Sequence, residues 1–108
     1  MAELIRNLQE LDDALNSANK KLVVVEFYAR NCEPCRKMRN SYQWIIKAHR
    51  EEVVFLKADV NISEDITSEF QIAAWPTFLF MKMKQVIDKY VGSSVEELQF
   101  YILKYKNY

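Results

Sequence analysis

The 108-residue chain is half hydrophobic and 13% aromatic, which suits one globular domain spanning residues 1–108 and excludes the disordered class. Lys plus Arg and Asp plus Glu balance at 15 each, so there is no bulk charge to attract nucleic acid or an anionic membrane. No run approaches the roughly 18–20 uncharged apolar residues that cross a bilayer.

The acidic, amphipathic start MAELIRNLQELDDAL resembles neither a secretory signal nor an Arg-rich transit peptide. Residues 3–6 are expected to form a short strand. Asn7-x-x-Glu10 reads as a capping box, followed by Leu8, Leu11, Ala14, Leu15 and Ala18 at helical spacing. The run KLVVVEFYA (21–29) is nearly continuous apolar and β-branched, the pattern of a strand covered on both faces. The next helix is expected from Pro34, a good first helical residue, with Met38, Tyr42, Ile45, Ile46 and His49 along one face. VVFLKADV (53–60) is a second buried-type strand, and residues 63–70 are expected to form a short helix. TFLFMK (77–82) and QVIDKYV (85–91) read as a hairpin. Met83-Lys84 lacks the Asn-Gly chemistry of a type I′ turn, which predicts a longer or irregular connection. Ser94-x-x-Glu97 caps a terminal helix with Val95, Leu98, Ile102 and Tyr105 inward. This alternation predicts an α/β fold with a central sheet and helices on both faces.

Backbone punctuation is scarce. About 7% glycine is usual, yet the chain has one glycine, Gly92, and two prolines, Pro34 and Pro76. Each is expected to mark a demanding backbone position.

The segment ARNCEPCRKM (29–38) holds the only two cysteines, Cys32 and Cys35. As a staple, the pair closes a tiny loop worth only about 2 kcal/mol in the chain-entropy model. As a zinc site it lacks ligands, since tetrahedral zinc takes about four. The one other good candidate, His49, lies more than three helical turns further along, so a metal site would need a partner chain. As a redox dithiol the pair is well placed, after a buried strand and at a helix start, where free N–H groups and the dipole stabilise a Cys32 thiolate. Cys35, one turn in, is expected to be the more buried and to attack a mixed disulfide made by Cys32. Two cysteines in such a chain fit a reducing interior, the cytoplasm.

VVVEFYARNCEPC, FLKADV, AAWPTFLF and YVGS, in that order and spacing, resemble the thioredoxin family across almost the whole chain. The resemblance implies the thioredoxin fold, a mixed sheet of four or five strands flanked by four helices. It implies dithiol–disulfide exchange, with Cys32 attacking and Cys35 resolving. Pro76 matches the family's cis-proline, which lies against the sulfurs and leaves the backbone at Trp75 to pair with a substrate strand. Gly92 matches the glycine that keeps that surface open. The exchange needs no bound cofactor, and a flavin- and NADPH-dependent thioredoxin reductase is the implied recycling partner.

Glu26 and Lys57 each interrupt an apolar strand. A lone buried charge is costly, so the two are expected to pair across adjacent strands or to be hydrated. The family has a buried Asp at the Glu26 position, as proton acceptor for the resolving cysteine, and a Lys at the Lys57 position. A carboxyl in a dry pocket has a raised pKa suited to that work. Other positions depart from the family pattern. Glu33 stands for a glycine beside Pro34, and this pair is expected to tune the couple, with Glu33 raising the Cys32 pKa against Arg30 and Arg36. Asn31 stands for a tryptophan and removes apolar docking surface, which Trp75 either restores or narrows into a tighter groove. Asn40 stands for a kinking proline and predicts a straighter helix. His49 is expected at the helix surface or boundary, and Tyr101, Tyr105 and Tyr108 in terminal-helix packing.

The expected activity is that of a protein disulfide reductase acting as a monomer on disulfide-containing proteins, without nucleic-acid or membrane partners. A thioredoxin-fold binding module with weak redox activity is the principal rival, and retention of both cysteines argues against it. An oxidase or isomerase is opposed by Pro34, where oxidising family members usually carry His.

Overall fold

The computed structural model describes residues 2–108. Its elements are β1 (Glu3–Leu4), α1 (Leu8–Ala18), β2 (Leu22–Tyr28), α2 (Glu33–His49), β3 (Val53–Asp59), α3 (Glu64–Glu69), β4 (Thr77–Lys82), β5 (Gln85–Val91) and α4 (Val95–Tyr105). The strands form one mixed sheet in the order β1-β3-β2-β4-β5. β1 and β2 both run parallel to β3, β4 is antiparallel to β2, and β5 is antiparallel to β4.

The central strand explains the unbroken apolar run. Val23, Val25 and Phe27 pack with Leu11, Leu15 and Ile66 on the face covered by α1 and α3. Leu22 and Val24 pack with Met38, Tyr42, Ile46, Leu98 and Ile102 on the face covered by α2 and α4. Side chains alternate between faces, but both faces are covered, so the period of two vanishes from the hydropathy pattern.

The caps form, with altered return arms. Asn7 Oδ1 accepts from the Glu10 N–H at 2.8 Å, while the Glu10 carboxylate accepts from the Arg6 N–H, one residue before the cap. Ser94 Oγ accepts from the Glu97 N–H at 3.2 Å, and the Glu97 carboxylate turns to the Tyr90 hydroxyl instead. Helix α2 starts at Glu33, one residue earlier than expected, and continues unbroken through Asn40. Tyr101 stacks on both Phe80 and Tyr90, Tyr105 tilts against Phe80, and the exposed Tyr108 ring lies edge-on to Tyr105.

Two expectations are corrected. His49 lies on the expected inward face with Tyr42, Ile45 and Ile46, and that place buries it rather than leaving it at the helix surface or boundary. The β4–β5 connection is a tight two-residue turn, with Lys82 paired to Gln85 and both Met83 and Lys84 at positive φ, 51° and 68°. Strand twist sets this geometry, and the two side chains tolerate it. The irregularity falls in β5, where the register shifts by one residue at Ile87.

A non-glycine residue in the left-handed region costs roughly 1–2 kcal/mol. Replacing Met83-Lys84 by Asn-Gly loses only the exposed Lys84–Asp12 ion pair, worth about 0–1 kcal/mol. The double variant is therefore expected to raise the urea midpoint at unchanged slope, by about 1 kcal/mol in stability; an unchanged or lower midpoint contradicts this.

Candidate active site

Phe27 pairs with Thr77, and Thr77 with Val91, so the end of β2, the start of β4 and the end of β5 lie side by side. The segments attached there carry the scarce residues: Cys32 to Cys35 after β2, Trp75-Pro76 before β4, and Gly92 after β5. The Trp75–Pro76 peptide is cis, and the Pro76 carbonyl accepts from the Gly92 N–H at 3.2 Å. Glycine is required at 92 for a local reason. Its φ is +154°, and a Cβ would fall 2.8 Å from the Tyr90 hydroxyl. That hydroxyl is fixed, accepting from the Ser94 N–H at 3.0 Å and donating to Glu97 at 2.8 Å.

Cys32 and Cys35 form a disulfide of 2.02 Å with Cα atoms 5.3 Å apart. Cys32 is the N-cap of α2, and its Sγ accepts from the Cys35 N–H at 3.2 Å. The helix end thus sets one amide donor on this sulfur, an arrangement that favours a thiolate. The expected difference in burial does not appear: both residues are 5% exposed, because the disulfide ties them into one unit. Their asymmetry lies in what they face. Cys35 backs onto a recess of about 380 Å³ that also has Glu26, Tyr28, Arg39, Tyr42 and Lys57 in its walls.

Glu26 and Lys57 are register partners on β2 and β3. Among the described residues they make no direct ion pair, so of the two expected arrangements the cross-strand pair does not form. Burial raises the Glu26 carboxyl from 4.5 to about 7, against the pull of Lys57 and Arg39. The Lys57 ammonium lies 6.0 Å from the centre of the Tyr28 ring. Glu33 does not stand alone beside Cys32, because Arg36 pairs with its carboxylate at the exposed start of α2. Asn31 and Pro34 are exposed, and Trp75 is 40% exposed beside exposed Val91, so apolar surface flanks the cis peptide.

Arg39 and Tyr42 were not marked as site residues by the sequence. Their spacing of four and seven from Cys35 puts all three on one stripe of α2, and that spacing is the signal that finds them.

The family model described as Thioredoxin matches residues 4–104. Over 94 residues the chain is 37% identical to Thioredoxin-T of Drosophila melanogaster, an overlap of 87% of this chain and 60% of that protein. It is 35% identical over 99 residues to thioredoxin of Equus caballus, covering 92% of this chain and 93% of that one. The X-ray structure of Fasciola hepatica thioredoxin matches with a TM-score of 0.91 at 28% identity, covering 94% of this chain and 97% of that chain. The chain belongs to the thioredoxin family, as a protein-disulfide oxidoreductase whose redox-active pair is Cys32–Cys35.

Proposed function

We propose that this protein disulfide reductase uses Cys32 as its attacking sulfur, Cys35 as its resolving sulfur and Glu26 as the proton acceptor for Cys35. The observation that carries the reading is the asymmetry of the pair: Cys32 Sγ accepts from the Cys35 N–H at the helix end, and Cys35 backs onto the Glu26 recess. The Cys32 thiolate attacks one sulfur of a substrate disulfide, forming a mixed disulfide and releasing the other substrate sulfur as thiolate. Cys35 gives its proton to the Glu26 carboxylate and attacks Cys32 Sγ. The second substrate thiolate leaves, two electrons have passed to the substrate, and Cys32–Cys35 is oxidised. Lys57 keeps Glu26 ionisable near neutrality. The exposed backbone at Trp75, with Asn31, Pro76 and Gly92 around it, receives the substrate strand.

The partners in this reading are disulfide-containing proteins and a thioredoxin reductase, met by a cytoplasmic monomer without a bound cofactor and without nucleic-acid or membrane partners. Among the described residues no helix is long and apolar enough to cross a membrane.

In dithiothreitol-driven reduction of an accessible protein disulfide, Cys32→Ser is expected to match the uncatalysed rate. Cys35→Ser is expected to accumulate the mixed disulfide on Cys32, seen as a mass adduct. Full turnover by Cys32→Ser contradicts the assignment.

Glu26 accepts a proton only when ionised, so the resolving rate is expected to rise as pH passes through about 7. Glu26→Gln is expected to lose that inflection and to slow resolution by roughly 100-fold near neutrality. A variant profile that overlays the wild type excludes Glu26 from the step.

Glu33 and Arg36 are expected to act on Cys32 with opposite sign. Glu33→Gly leaves a lone cation and lowers the Cys32 thiol pKa, and Arg36→Ala leaves a lone carboxylate and raises it, each by about half a unit for exposed charges. Thiolate absorbance at 240 nm reads both; shifts of the same sign contradict the pairing.

A further inference from the structure

Tyr42 is 2% exposed, and its hydroxyl has no hydrogen-bond partner among the described residues. The ring is held rigidly, edge-on to Phe55 with centroids 6.0 Å apart and to Phe78 at 5.3 Å. Those rings come from the strands on either side of β2. Phe55 is the register partner of Val24, and Phe78 that of Glu26. The Tyr42 ring therefore spans β2 between positions 24 and 26, on the side where Glu26 and Cys35 share a recess with it.

A phenylalanine would fill this space without a polar atom to satisfy, and a buried hydroxyl left without a partner is destabilising. The recess offers few strong acceptors. Arg39 and Lys57 only donate, a half-cystine sulfur accepts weakly, the Tyr28 hydroxyl is a neutral acceptor on a half-buried side chain, and Gln43 is exposed on the neighbouring helix position. The Glu26 carboxylate is the strong acceptor in the walls.

We propose that the Tyr42 hydroxyl donates a hydrogen bond to a water in the recess that in turn donates to the Glu26 carboxylate, and is thereby a positioning residue for the resolving step. The proposal rests on the reading of Glu26 as the proton acceptor of Cys35. Burial, with the Glu26 charge adding to it, holds the Tyr42 phenol well above its ordinary pKa, so it remains a donor throughout the working range. A bond to the charged carboxylate opposes the upward push of burial on Glu26. The other groups facing Glu26 are Lys57 from β3, Arg39 and Cys35 from α2 and Tyr28 from β2 itself, while β4 presents the apolar Phe78.

The test is Tyr42→Phe in the intact oxidised protein, with the Glu26 side-chain carboxyl followed by carbon-13 NMR titration. Its midpoint is expected to rise by about one pH unit on loss of the donor. The inflection in single-turnover reduction of a protein disulfide is expected to rise with it. An unmoved carboxyl midpoint in a folded Tyr42→Phe protein overturns the proposal, whatever the activity. Glu26→Gln in the same kinetic assay separates the two readings: an unchanged profile there removes Glu26 from the step, while the NMR midpoint still decides the hydrogen bond.

Discussion

Strand β2 is covered on both faces, and Glu26 carries a carboxyl into that dry layer. Folding raises its pKa from 4.5 to about 7 through burial. Between those values the unfolded chain has released a proton that the folded chain still holds, so stability falls as pH rises from about 4.5 to about 7. The gap of about 2.5 pH units corresponds to about 3 kcal/mol, a sizeable part of a small domain's stability. An apolar residue at this position would spare the fold that cost. The carboxyl shares its recess with Cys35, and a perturbed group so placed supports the proposed chemistry over packing.

The rest of the site is arranged around that strand. Helix α2 begins four residues beyond β2 and lies across it, with Cys35, Arg39 and Tyr42 on one stripe above Glu26. The same helix start gives the two sulfurs different surroundings, since the Cys35 N–H donates to Cys32 Sγ and the carboxyl recess lies behind Cys35. On the outer side, the Gly92 N–H to Pro76 carbonyl bond joins the ends of β4 and β5 beside exposed Trp75. Three backbone positions that the chain uses nowhere else, two prolines and a glycine, thus serve one end of one sheet.

Much of this was legible in the residues. Strand β2 announced its two-sided burial, Asn7 and Ser94 marked helix starts, and Glu26 stood out because nothing in a buried strand calls for a carboxylate. What failed was local chemistry overruled by distant partners. Met83-Lys84 lacks turn residues, yet pairing along β4 and β5 imposes a two-residue turn on it. His49 reads as polar, but its place on a long periodic stripe buries it. Of the two arrangements expected for Glu26 and Lys57, direct pairing does not form although register makes them neighbours. Periodicity places Tyr42 on the apolar face because it registers the ring and not the hydroxyl. That Arg36 takes up Glu33 depends on the helix starting at Glu33, which the proline alone did not specify.

The most direct measurement is the unfolding free energy of the oxidised protein against pH, for wild type and Glu26→Gln side by side. Gln keeps the shape and the polarity without the ionisation. Wild type is expected to lose about 3 kcal/mol relative to the variant between pH 4.5 and 8, with the curves parallel above the folded pKa. Curves that stay parallel across the whole range would mean that Glu26 titrates like an exposed carboxyl, and the buried acid–base group beneath Cys35 would not exist.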